Sequence, residues 1–442
     1  MAPDTIVAVS TPSGRGAIGI VRLSGTAAHR IACTITRSVD LAPRQAHYRA
    51  FHDDDGEAFD DGLVLYFPAP RTYTGEDLVE FHGHGNPVLL HRLVALACAD
   101  GARAARPGEF TERAFLNDRL DLAQAEAVAD LIASPTLRAA RAAHRTLSGD
   151  FGDAVSGLVE RVRLARAELE AAIDFGDDVD TDALLAHQGE HRAALCRDLT
   201  VLLARAQQGV RLHEGLQVAI VGAPNVGKSS LLNRLAGVER AIVTAVPGTT
   251  RDLVDVDLLI GSVPVRLVDT AGLRETDDVI EAEGIRRTQG AASAADLVLH
   301  VVDRLPATTL PDTVTAIPRI VVRNKIDLAS AHEEREVGDA TTCVPLSALT
   351  GQGCDALIEA IERFAGIHGE DSGEFAARAR HVAALEAALE SLRGIDEAGL
   401  ADAPELVAEH YRQASDALEA IAGRYGSEAL LGDIFARFCI GK

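Results

Sequence analysis

The chain has 442 residues, 47% of them hydrophobic and 25% charged, a length and balance suited to two or three packed domains and unlike a fibre or a disordered segment. Its 43 Lys and Arg stand against 66 Asp and Glu, a formal net charge of -23, which argues against a protein held to nucleic acid by a general basic field and leaves local patches, shape or a partner subunit to hold any RNA. Its six Cys, at 33, 98, 196, 343, 354 and 439, form no CxxC pair or Cys/His cluster; zinc, iron–sulfur and disulfide frameworks are set aside, and reduced thiols fit a cytoplasmic protein.

The chain opens on Met1-Ala-Pro-Asp-Thr5, without the basic and then apolar run of an export signal. No apolar stretch approaches the ~18 residues that a membrane span needs. Residues 1–117 read as a mixed α/β domain. Ile18–Leu23 and Gly62–Phe67 are short apolar runs bounded by turn residues and predict strands, while Leu89, Leu93, Leu96 and Ala97 fall at helical spacing before the break at Pro107-Gly108. From 118 to 214 the pattern is helical. Leu147, Phe151, Val155, Leu158, Val162, Ala165 and Leu169 predict one apolar stripe on a long helix, and Leu195, Leu199 and Leu202 a second helix. Arg138, Arg141 and Arg145, at helical spacing, read as a solvated face, with a local RNA-binding patch as the alternative.

Residues 215–367 have another texture. Val218–Val221, Val265–Val268, Leu297–Val302 and Ile320–Arg323 are near-continuous apolar strands separated by helical patterns, which predicts a mainly parallel sheet covered on both faces. Helical spacing returns in 368–442 with Val382, Leu385, Leu389 and Leu392, after the return linker His368–Gly373. The simplest organisation inserts an α/β domain into a helical one.

Gly222-Ala-Pro-Asn-Val-Gly-Lys-Ser229 matches GxxxxGK[ST] between a strand and a helix. Glycines let the backbone wrap phosphates with its N–H groups at a helix N-terminus. Lys228 would reach the β- and γ-phosphates and the Ser229 hydroxyl would ligate Mg²⁺. A chance Gly-rich turn is set aside because three further elements follow in order. Asp269-Thr270-Ala271-Gly272 ends a strand, with Asp269 for the Mg²⁺ shell and the Gly272 amide for the γ-phosphate. Asn324-Lys325-Ile-Asp327 ends another, and its Asp carboxylate can accept both N–H donors of the guanine edge, which adenine lacks. Ser347-Ala348 supplies a backbone contact to the guanine oxygen. The nucleotide is therefore GTP. Thr249 and Thr250, in Pro247-Gly-Thr-Thr-Arg-Asp252, can close over it and complete Mg²⁺ coordination. Leu273 stands where Ras-type switches carry the Gln that orients water, so either another residue orients it or hydrolysis is vestigial.

Beyond these motifs, the chain resembles the tRNA-modification GTPase MnmE (TrmE) family over essentially its whole length. The resemblance is carried by Thr11–Gly25 (TPSGRGAIGIVRLSG), Glu80–Gly85 (EFHGHG), Pro107–Asn117 (PGEFTERAFLN), Leu120–Ala127 (LDLAQAEA) and the C-terminal Phe438–Lys442 (FCIGK). It implies an N-terminal α/β folate-binding and dimerisation domain, a discontinuous helical domain and an inserted Ras-like P-loop GTPase domain. It also implies a homodimer whose folate site uses Arg22, Glu80, Arg119 and Lys442, with 5,10-methylenetetrahydrofolate as the one-carbon source and 5-formyltetrahydrofolate as its analogue. Nucleotide contacts would come from Asn225, Val226, Gly227, Lys228, Ser229 and Ser230, and from Thr244, Ala245, Val246, Pro247, Gly248, Thr249 and Thr250. Mg²⁺ would be held by Ser229 and Thr250, and K⁺ by Asn225, Thr244, Val246 and Thr249, which places a cation where an arginine finger would act. Catalytic roles fall to Lys228, Thr250 and Glu281, the last positioning water, with Glu283 as its neighbour in register. The implied partner is the FAD- and NADH-dependent MnmG, in a heterotetramer-type complex acting on the wobble uridine of certain tRNAs. Cys439, among Phe435, Phe438 and Ile440, reads as a buried and inert thiol. A ribosome-assembly GTPase and a regulatory switch without modification chemistry are the alternatives.

Overall fold

The structure, a computed structural model, describes residues 4–174, 181–238, 256–261, 263–269, 295–304, 317–328, 343–366, 373–395, 403–423, 428–436, 438 and 440–441, without the side chains of 181–186, 238, 256–257, 268–269, 428–430 and 433. The chain divides into two compact units. One comprises Met1–Ala129, Leu147–Gln188 and Gly394–Lys442; the other comprises Asp130–Thr146 and Gly189–Arg393.

The first unit is built on the strands β1 (Ile6–Val9), β2 (Ile18–Ser24), β3 (Ala46–His52), β4 (Ala58–Phe67), β5 (Leu78–His84) and β6 (Arg103–Ala104), in the order β3-β4-β5-β2-β1-β6. Neighbours are antiparallel except β1 and β6, which run parallel. The two-residue period sorts the faces. Val7, Leu23, Val79, Val21 and Phe81 share one core with α1 (Ala28–Thr36) and α2 (Pro87–Ala99). The opposite face carries Ala8, Arg22 and Glu80 in one cross-strand row, partly covered by Phe110 of α3 (Glu109–Leu116). The predicted helix beyond Pro87 is α2. Asn86 caps it by accepting the Val88 N–H at 3.0 Å, and Pro87 occupies a first-turn position where no N–H is missed.

The helical region runs as α4 (Leu122–Ala133), α5 (Leu137–Ser148), α6 (Asp150–Asp174) and α7 (Thr181–Glu214). The expected stripe from Leu147 to Leu169 is divided between two helices. Gly149, at φ 101°, takes a conformation a helix cannot continue through, so α6 starts after it and buries Phe151, Val155, Leu158, Val162, Ala165 and Leu169. Leu195, Leu199 and Leu202 are buried on α7, and Leu385, Leu389 and Leu392 on the helix Ala379–Arg393.

The second unit holds the sheet β12-β11-β10-β7-β9-β8, from β7 (Leu216–Val221), β8 (Val256–Ile260), β9 (Val263–Asp269), β10 (Leu297–Val302), β11 (Arg319–Arg323) and β12 (Cys343–Pro345). All described neighbours are parallel except β8 with β9. Every residue of β10 is buried, as expected of a strand covered on both sides. One core cluster joins β7 and β10 to Leu231 and Leu235 of α8 (Lys228–Val238) and to Leu357 and Ile361 of the helix Cys354–Ala365. Among the described residues no helix is long and apolar enough to cross a membrane.

Candidate functional site

The loop from β7 to α8 leaves the sheet where the chain order reverses, with β10 on one side of β7 and β9 on the other. Open α/β sheets form a binding crevice at such a point, beyond the carboxyl ends of the strands. A Cβ on Gly222, at φ 154°, would lie 2.2 Å from the Val301 carbonyl oxygen. One on Gly227, at φ 100°, would lie 2.2 Å from Asn324 Nδ2. Asn225 adopts a left-handed φ of 62°, which Asn tolerates better than most residues. Lys228 opens α8, and its Nζ donates to the carbonyls of Gly222 and Ala223, each at 2.9 Å. Ser229 and Ser230 follow, both exposed. A loop of close-approaching backbone ahead of a helix N-terminus suits phosphate oxygens, and an exposed hydroxyl beside it is a hard donor suited to Mg²⁺. Asp269 closes β9 at the same edge, paired in register with Ile220.

The two segments expected to read the base converge on one buried amide. Asn324, 3% exposed, donates from Nδ2 to the Val226 carbonyl at 2.8 Å, and its Oδ1 accepts the Ala348 N–H at 2.9 Å. Two loops 98 and 24 residues away in sequence are thus fastened to a single side chain. Lys325, at φ 64°, donates from Nζ to the Asn225 carbonyl at 2.7 Å. Asp327 is exposed in the short 3-10 turn Ile326–Leu328. Ser347 is fully buried; its N–H donates to the Gln352 carbonyl at 2.8 Å and its Oγ accepts the Thr350 N–H at 3.2 Å. The motifs did not reveal that Asn324 would work through protein loops.

In the first unit, Arg22 and Glu80 face each other in register. Arg22 Nε and Nη2 donate to Glu80 Oε1 at 3.0 and 2.7 Å, and His82 Nε2 lies 3.1 Å from Oε2. The guanidinium carbon also sits 5.7 and 5.8 Å from the ring centres of Tyr73 and Phe110. Burial opposes ionisation of Glu80, but the charge and hydrogen bonds of Arg22, with those of His82, outweigh it and hold the carboxyl below its ordinary pKa. Burial raises the Tyr73 phenol, whose oxygen is 2.8 Å from Thr111 Oγ1. Sequence reasoning missed Tyr73, Phe110 and His82; only the Glu80-x-His82 spacing, which puts both on one strand face, could have signalled the last. Arg119 is exposed, and its Cγ would lie 3.4 Å from a Cβ on Gly75. The C-terminal residues return here as well. Ser10 Oγ donates to the Gly441 carbonyl at 3.1 Å, and a Cβ on Gly441, at φ 95°, would be 2.2 Å from the Val9 carbonyl.

A family model for the N-terminus of the GTP-binding protein TrmE matches residues 5–119, and one for the MnmE helical domain matches residues 122–439. The tRNA modification GTPase MnmE of Methylococcus capsulatus is 47% identical to this chain over 450 residues, covering 99% of each. The namesake protein of Neisseria meningitidis is 49% identical over 448 residues, again covering 99% of each. The chain belongs to the MnmE family. A solved structure of a point variant of Aquifex aeolicus Era, bound to GDP and tetrafluoroaluminate, is similar at 29% identity over 40% of this chain and 66% of that one, with a TM-score of 0.26.

Within this MnmE-family chain, two motifs serve the scaffold. Asp121 and Gln124 cap α4 reciprocally, Gln124 N–H to Asp121 Oδ1 at 2.7 Å and Asp121 N–H to Gln124 Oε1 at 2.9 Å. The solvated arginine face on α5 is corrected for two of its three members. Arg138 donates to Glu374 Oε1, while Arg145 Nε donates to the Glu374 carbonyl at 2.9 Å and its Nη2 lies 3.6 Å from Glu374 Oε2. Glu374 is fully buried, and a buried carboxylate needs paired positive charge. Arg141 is exposed. Thr244, Ala245, Val246, Pro247, Gly248, Thr249, Thr250, Thr270, Ala271, Gly272, Leu273, Glu281, Glu283, Cys439 and Lys442 lie outside the described residues, as does the side chain of Asp269.

Proposed function

We propose that this chain is a K⁺-dependent GTP hydrolase of the cytoplasm. With MnmG and a tetrahydrofolate one-carbon unit, it would add an aminomethyl or carboxymethylaminomethyl group at C5 of the wobble uridine of certain tRNAs. The observation that carries the GTP part is the Asn324 amide, which couples the phosphate loop to the Ala348 loop at 2.8 and 2.9 Å. Asp327, exposed beside it, accepts the paired N–H donors of guanine. Lys228 leaves the loop carbonyls for the phosphates, and Asn225, Val226, Gly227, Ser229 and Ser230 line their path. Ser229 and Thr250, with Asp269, would hold Mg²⁺, which when bound would neutralise charge on the phosphates. Asn225, Thr244, Val246 and Thr249 would hold K⁺, which when bound would add positive charge near the phosphates. Glu281 positions the attacking water that Leu273 cannot hold.

The domain reading is 1–117 for folate binding and dimerisation, 118–214 and 368–442 for the helical domain, and 215–367 for the GTPase domain. Exposed Ile18, Tyr48 and Leu63 lie on the sheet face that carries Arg22 and Glu80. An apolar patch on a charged face is what a second copy would cover, so the homodimer forms there. Folate fits the same face. Glu80 retains acceptor capacity for pterin N–H groups, while Arg119 and Lys442 meet the carboxylates of the glutamate tail. Ser10 supports this by holding Gly441, the neighbour of Lys442, at the end of β1.

The test compares GTP turnover in K⁺ and Na⁺ for wild type and Asn225→Ala, with binding of 5-formyltetrahydrofolate to wild type and Glu80→Ala. Strong K⁺ stimulation lost in Asn225→Ala, with folate binding lost in Glu80→Ala, supports the reading. Equal slow rates in both salts and no folate binding would leave a regulatory switch.

A further inference from the structure

Arg234 lies six residues beyond Lys228 on α8, outside every recognised GTPase motif. Its Nε donates to the Ala348 carbonyl at 3.0 Å, and its Nη2 donates to the Leu349 carbonyl. The Ala348 N–H is already taken by Asn324 Oδ1 at 2.9 Å. The main chain at Ala348 is therefore gripped from two sides, by the end of β11 and by the helix whose first turn carries Lys228 and Ser229. Side-chain burial does little for the turn beyond it, since Leu349 is 75% exposed. Gly351, at φ 89°, turns its open side toward the guanidinium, with Arg234 Cζ 3.8 Å from where a Cβ would sit. A guanidinium is a rigid planar donor set, so two carbonyls held by one fork lose little further freedom when a ligand arrives.

We propose that Arg234 is a positioning residue for nucleobase selection: it fixes the Ala348 main chain relative to the phosphate loop, so that the Ala348 N–H, shared between Asn324 Oδ1 and the ligand, meets the exocyclic oxygen of guanine. This rests on the GTP reading above. The residue touches neither phosphate nor base; it acts through the peptide groups that do. Its loss lets the exposed turn sample other positions, and the ligand must then order it on binding.

Competition binding on the full chain separates this role from a general structural one. Three probes suffice: GDP, IDP, which keeps the oxygen and the ring N1–H but lacks the amino group, and 2-aminopurine riboside diphosphate, which keeps the amino group but lacks the oxygen and the N1–H, and whose weaker binding to wild type is the baseline for its own comparison. Arg234→Ala should weaken GDP and IDP in parallel by about tenfold, equivalent to about 1.4 kcal/mol, and leave the 2-aminopurine nucleotide nearly unchanged. KM for GTP should rise while kcat at saturation holds, and Arg234→Lys should recover part of the loss by reaching one carbonyl. An equal loss for all three nucleotides overturns the proposal, because Arg234 would then support the domain as a whole. Unchanged affinity for GDP overturns it too. Wild-type protein that binds ADP as well as GDP would instead sink the GTP reading itself.

Discussion

Truncating Asn324 to alanine tests whether one buried amide joins the two halves of the nucleotide site. The side chain makes hydrogen bonds of 2.8 and 2.9 Å, to the Val226 carbonyl and from the Ala348 N–H. Each neutral bond is worth about 1 kcal/mol net, and each buried partner left orphaned costs about 1–3 kcal/mol. Asn225 is exposed, so water can reach part of the gap; the expected loss is therefore about 2–4 kcal/mol, below the sum of the limits. A global melt would blend the two units, and the chain has no Trp to report on one of them. Native-state hydrogen exchange resolves them. Amides of β7 and β11 in Asn324→Ala should exchange roughly thirty- to a thousandfold faster, while those of β2 and β5, in a separate core, keep their protection. Asn324→Asp should be no milder, because it keeps the acceptor for Ala348 but sets an anion against the Val226 carbonyl. Unchanged exchange in β7 and β11 with GDP affinity intact would refute the coupling. Equal loss in both sheets would show that the effect is not local.

Gly227→Ala should abolish nucleotide binding without loss of helical circular dichroism, since φ 100° and a Cβ 2.2 Å from a twice-bonded Asn324 amide leave the loop no room. Glu374→Ala should destabilise the second unit by about 3 kcal/mol, read from faster hydrogen exchange of the α5 amides, and Glu374→Gln by less, because only the former removes both side-chain oxygens that face Arg138 and Arg145; an alanine variant with wild-type exchange would contradict this. The folded pKa of Glu80 lies below its unfolded one, so the stability it lends is complete above the ordinary carboxylate range and fades as pH falls through the lowered folded value. Acid titration of the first unit, followed by exchange in β2 and β5, should lose that component in Glu80→Gln; identical acid profiles would count against the pair.

The local signals in the chain were sufficient for the loop, strands and helix that carry the nucleotide motifs. Gly222, Gly227 and Lys228 carry their meaning in backbone conformation and spacing, and the apolar runs of β7, β9, β10 and β11 announce a covered parallel sheet without reference to distant residues. Short-range rules sufficed there because strand period, glycine conformation and helix capping act over a few residues. Where partners are far apart in sequence, the same rules gave the wrong surroundings. Arg138 and Arg145 have the spacing of a solvated helix face, and only the return of Glu374, 236 and 229 residues later, turns them inward. The stripe through Leu147 was continuous in side-chain type, yet Gly149 divides it because a backbone at φ 101° outweighs periodicity. Likewise the residues around Arg22, the grip of Asn324 and Arg234 on Ala348, and the seat of Gly441 against Ser10 depend on which loops meet. That choice belongs to tertiary packing, since a hydrogen bond or an ion pair specifies its partner by distance in space and carries no mark in the sequence.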